Sequence, residues 1–94
     1  MRIQALAEQN GRVIAVEPGD HLFRQGDDDS YIYLVKSGLL KAYYIRHDGK
    51  EHIKSFLSEG AIIGSMVALV DKDPCTFSLM AIEHGTVIAL PYHQ

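Results

Sequence analysis

The sequence predicts an all-β domain, a sandwich, roll or barrel of many short strands. Turn signals recur only a few residues apart: Pro18-Gly19-Asp20, Gly26 to Asp29, Ser37-Gly38, Asp48-Gly49, Glu59-Gly60, Asp71 to Pro74 and His84-Gly85. The stretches between them are rich in β-branched and aromatic residues, which suit a pleated, half-buried surface. Ninety-four residues, 47% hydrophobic and 22% charged, fit one globular domain with a small core.

Taken in order, Ile3 to Gln9 reads as the end of a helix. Strands are expected at Val13 to Val16, Tyr31 to Val35, Leu39 to Ile45, Ile53 to Leu57, Ala61 to Ile63, Phe77 to Ile82 and Thr86 to Leu90. Ser65 to Leu69 reads as a one-turn helix. The Asp48-Gly49 pair is a strong hairpin signal, because both residues tolerate positive φ. Counting outward from a two-residue turn pairs Arg46 with Glu51, Ile45 with His52, Tyr44 with Ile53 and Tyr43 with Lys54. Arg46–Glu51 is then expected as a cross-strand ion pair.

Composition excludes several classes. A net charge of −3 gives no sequence-independent pull on nucleic acid. One cysteine, Cys75, excludes an internal disulfide framework and a multi-cysteine cluster. The longest apolar stretch, Ala61 to Val70, is interrupted by Gly64-Ser65 and is too short to span a bilayer. The first residues lack the basic, apolar and small-residue order of a signal peptide. No P-loop, nucleophile elbow or Ser/His/Asp order is present.

The remaining chemistry is sparse. Five of the nine basic residues lie between Lys36 and Lys54. That stretch reads either as a solvated strand face guarded against aggregation or as a basic face for an anionic ligand or partner. Five histidines invite a cupin-like metalloenzyme, but no two sit at i, i+2 on one strand face. Cys75 reads as a structural thiol whose pKa neighbouring Asp71 and Asp73 would raise. Asp27-Asp28-Asp29 reads as a solvated turn. If Ser65 to Leu69 form a helical turn, its free N–H groups face whatever lies before Gly64.

The order of motifs carries more information than any one of them. Pro18-Gly19-Asp20, Phe23-Arg24-Gln25-Gly26, Tyr31 to Gly38, Asp48-Gly49-Lys50-Glu51, Glu59-Gly60 and Ile63-Gly64 together resemble the cyclic nucleotide-binding domain of the catabolite-activator and fumarate-nitrate-regulator superfamily. Lys36 to Tyr43 and Leu90-Pro91 resemble the fumarate-nitrate branch more closely. The resemblance implies an eight-stranded antiparallel β-roll of jelly-roll type, a double-stranded β-helix, with one or two short helices. It also implies a non-enzymatic effector-sensing domain of a bacterial transcription regulator, expected in the cytoplasm.

In family members that bind cyclic AMP, the matching Gly is followed by a Glu for the ribose, and an Arg plus a small hydroxyl residue clamp the phosphate. Position by position, Gly64 matches the Gly and Thr76 the hydroxyl residue. Ser65 stands in place of the Glu and Cys75 in place of the Arg. Losing the guanidinium should weaken cyclic AMP binding on the order of a thousandfold. Lys72 is near in sequence but is not a bidentate equivalent.

The expected effector-binding residues are Gly64, Ser65, Met66, Val67, Cys75 and Thr76, and the small-molecule effector is unidentified. No cofactor is assigned. The branch's iron–sulfur members need cysteines ahead of the roll, and Met66 to Leu69 would suit haem or another apolar effector. The family's dimerisation helix and helix-turn-helix domain are absent from residues 1–94, so DNA would be read only through a domain outside this chain. The uncovered apolar surface favours a homo-oligomer. The alternative is a degenerate roll that binds no ligand and serves as a dimerisation or protein-interaction module.

Overall fold

The computed structural model describes residues 11–65 and 72–91. Eight strands are present: β1 (Arg12–Val16), β2 (His21–Phe23), β3 (Tyr31–Ser37), β4 (Leu40–Ile45), β5 (Glu51–Leu57), β6 (Ile62–Ile63), β7 (Ser78–Ala81) and β8 (Gly85–Pro91). They form two four-stranded antiparallel sheets, ordered β1-β8-β3-β6 and β2-β7-β4-β5. This is the expected β-roll. The helix expected at Ile3 to Gln9 lies outside the described residues, as does all but Ser65 of the expected turn at 65–69.

Alternation builds the core. Val87 and Ala89 of β8 and Tyr33 and Val35 of β3 join Leu40, Ala42, Leu79 and Ala81 of the opposite sheet in one buried cluster. Leu34 and its register partner Ile88 face the other way and form a small second cluster. Strands β3 and β8 are therefore buried on both faces, which explains their near-continuous apolar sequences.

Two turns share one design. In Glu17 to Asp20 and in Arg24 to Asp27, Gly19 and Gly26 take positive φ at the third position. The Asp20 and Asp27 carboxylates accept the N–H groups of Glu17 and Arg24, each at 2.9 Å. Both turns then dock on the chain around β7. Gly19 N–H donates to the Ala81 carbonyl and Ala81 N–H to the Asp20 carbonyl. Gly26 N–H donates to the Cys75 carbonyl and Cys75 N–H to the Asp27 carbonyl. Cys75 is thus fixed from both sides.

A third corner requires glycine for space. A Cβ on Gly85 would lie 2.2 Å from the Ser37 carbonyl oxygen, so the β7–β8 turn packs backbone to backbone on the end of β3.

The β4–β5 hairpin corrects the expected register. Arg46 and Lys50 close the loop, with Gly49 at φ +86° and His47 and Asp48 between. This is a three-residue loop, with its one left-handed position at Gly49. Ile45 faces Glu51, Tyr44 faces His52 and Tyr43 faces Ile53, one residue off the expected pairing. Tyr44 and His52 stack, with ring centroids 5.4 Å apart. Glu51 pairs with Lys41 at 2.7 Å, rather than with Arg46. A bulge follows: Ala42 faces Ser55, which leaves Lys54 without a partner across the ladder.

Candidate functional site

Strand β6 brings Gly64 into place. Gly60 N–H donates to the Val35 carbonyl and Val35 N–H to the Ala61 carbonyl, which ties the entry to β6 against β3. Ile62 and Ile63 then pair with Leu34 and Tyr33. Beyond Ile63, Gly64 is half-buried and Ser65 is fully buried. The second segment arrives from Cys75, locked by the Gly26-Asp27 turn.

These two segments and the hairpin line a half-open cavity of about 310 Å³. Ile63 and Gly64 form one wall, and Thr76 and Phe77 a second. Ala42, Lys54 and Ser55 of the hairpin complete it. The Lys54 ammonium lies 4.3 Å from the centroid of the Phe77 ring, within cation–π range.

Of the six expected effector residues, Gly64 and Thr76 line this cavity. Ser65 and Cys75 are buried and are not among its lining residues. The Ser65 hydroxyl has no hydrogen-bond partner among the described residues. It lies close enough to ease the pKa of the Cys75 thiol, although the contact falls short of hydrogen-bond geometry. Burial dominates and raises that pKa, reinforced by the charges of Asp29, Asp27 and Asp28. These acids come from the turn before β3, a contact that the sequence neighbours Asp71 and Asp73 did not suggest. Cys75 is therefore a neutral core thiol. Met66 and Val67 lie outside the described residues.

Sequence reading missed Ala42, Lys54, Ser55, Ile63 and Phe77 as cavity residues. The one available signal was the concentration of basic residues between Lys36 and Lys54. Lys72, at φ +63°, belongs to a separate acidic recess with Asp28, Asp29, Ser30 and Asp73. Asp29 is engaged by the Tyr33 hydroxyl, which donates at 3.0 Å. Burial raises the pKa of Asp29, partly offset by that bond.

The histidines are dispersed. His21 meets the Tyr43 hydroxyl, His52 stacks on Tyr44, and His84 Nδ1 lies 2.8 Å from Glu17 Oε1. Among the described residues, no three His, Cys, Asp or Glu side chains gather as a metal site. No helix among them is long and apolar enough to cross a membrane.

Comparison with known proteins places this geometry in context. The family model described as "Cyclic nucleotide-binding domain" matches residues 13–94. The transcriptional activator protein Anr of Pseudomonas protegens is 30% identical over 92 residues, covering 98% of this chain and 37% of that protein. The fumarate and nitrate reduction regulatory protein of Vibrio cholerae is 32% identical over 77 residues, covering 82% of this chain and 30% of its own length. This agrees with the expected likeness to the fumarate-nitrate branch. The chain spans about a third of the length of these curated relatives. The catabolite activator protein of Thermus thermophilus superposes with a TM-score of 0.85 at 28% identity, over 95% of this chain and 41% of that one.

Proposed function

Because the chain belongs to the cyclic nucleotide-binding domain family of these transcription regulators, we propose that it is a non-enzymatic, cytoplasmic sensor module whose effector is not cyclic AMP. The cavity beside Gly64 and Thr76 is the effector site. DNA contact belongs to a separate domain of a full-length regulator. Effector capture shifts the β5–β6 side of the roll between two arrangements that a neighbouring element reads.

One observation carries this reading. The two positions that would supply a carboxylate and a guanidinium hold Ser65 and Cys75, both buried and uncharged. A cyclic phosphate entering the cavity would lack its bidentate partner. Calorimetric titration of the chain with cyclic AMP tests it. No saturable heat is expected up to millimolar nucleotide, and micromolar binding would overturn the reading.

A second reading has support of its own. Ile45, Ile53 and Phe56 are exposed on the β4–β5 hairpin, Phe56 to 60%. Such a patch at a sheet edge suits self-association or a protein partner. Under this reading the roll binds no ligand. A concentration-dependent mass in analytical ultracentrifugation, with no ligand raising the melting temperature, would favour it.

A further inference from the structure

We propose that the cavity takes a small carboxylate with an apolar body, and that Lys54 supplies the charge that selects it. This rests on the effector-site reading above and names the ligand class.

Lys54 is the extra residue of the β5 bulge, because Tyr43 faces Ile53 while Ala42 faces Ser55. Bulges re-aim side chains, and they concentrate at sheet edges and beside binding sites. This one lies in edge strand β5 and places Lys54 on the cavity wall.

Among the described residues, the ammonium's contact is the face of Phe77 and not a carboxylate. The contrast with Lys41, which is paired with Glu51 in the same hairpin, is direct. Among the described residues, Lys54 is the one charged side chain on the cavity wall. Ser55 and Thr76 add hydroxyl groups, while Ala42, Ile63 and Phe77 add apolar surface. A point charge beside two hydroxyls and an aromatic ring matches a carboxylate on a small apolar body. It lacks the planar fork that a phosphate is gripped by in guanidinium sites.

The test uses benzoate, its neutral analogue benzamide, and inorganic phosphate. Each is titrated into the chain while amide resonances, including those of Gly64 and Thr76, are followed by NMR. Benzoate is expected to shift the Gly64 and Thr76 amides saturably, with benzamide and phosphate each at least about tenfold weaker. Lys54→Gln should weaken benzoate about tenfold, and Lys54→Arg should retain most of the affinity; a tenfold loss corresponds to about 1.4 kcal/mol. If benzamide binds as well as benzoate, or Lys54→Gln leaves affinity unchanged, the charge assignment falls while the cavity reading stands. Phosphate binding more tightly than benzoate overturns the carboxylate. If no probe binds, and adenosine and haem also leave these amides unmoved, both this inference and the effector-site reading fail.

Discussion

Strands β3 and β5 have the same length, seven residues each, and opposite surroundings. β3 lies between β8 and β6, with Tyr33, Leu34 and Val35 all buried. β5 is an edge, with only His52 and Leu57 half-buried. Both carry a lysine at a bulge. Lys36 falls between the paired residues Val35 and Ser37, just before the corner clamped by Gly85. Lys54 falls in an edge strand beside a cavity. The same backbone device serves closure in one strand and presentation in the other. The β3 bulge lies where the strand still pairs with β8, at the corner where the chain turns. An edge strand has a free side, so its bulge can offer a side chain to a ligand.

That contrast can be broken by substitution. Gly85→Ala places a methyl group against the Ser37 carbonyl, where neither backbone can yield. A loss of more than about 3 kcal/mol is expected, seen as failure to give a cooperative melt. If the variant melts normally, the clamp on β3 is not what the geometry indicates. Val35→Ala should cost about 2 kcal/mol in urea denaturation, from lost burial and the void left behind. Phe56→Ser on β5 should stay within about 0.5 kcal/mol, and a similar cost for the two would erase the contrast.

Gly49→Ala probes the loop that leads into β5. Nothing lies within 4 Å of its added methyl group, so only the positive φ resists. The expected cost is about 1 kcal/mol, well below that of Gly85→Ala. The smallest effect concerns His21 of β2, whose ring meets the Tyr43 hydroxyl of β4. Burial first, then the positive charges of Arg24 and Lys41, hold its pKa below the ordinary value near 6.5. A depressed pKa means that the neutral ring fits the fold. The contribution of His21 to stability should therefore be level above pH 6.5 and decline as pH falls below it. Lys41→Met should raise the pKa of His21 slightly in an NMR titration, and an unchanged value would remove Lys41 from that list.

Much of the fold was legible in the residues. The Gly-Asp turns, Asp48-Gly49 and the apolar runs of β3 and β8 announce themselves through backbone chemistry and periodicity. β2 did not, because three residues are too few to show an alternation. The hairpin register was misjudged because Asp-Gly also fits a three-residue loop in which only Gly49 takes positive φ. The candidate site was half legible. Gly64 and Thr76 followed from motif order. The cavity role of Lys54 depends on a one-residue slip in the ladder, and such a slip moves a side chain from one face to another without altering the sequence pattern. The placement of Cys75 near Asp27 to Asp29 is a contact across the chain that local spacing cannot encode.

The loop from Arg46 to Lys50 has a practical use. Its residues are exposed, and one short backbone exchange closes it. Loop tips of this kind accept insertions, whereas the Gly38–Gly85 crossing would reject a new terminus. A circular permutant opened between Asp48 and Gly49, or a fluorescent reporter grafted there, would sit at the tip of the strand pair that bears the bulged lysine. Occupancy of the cavity could then be converted into an optical signal.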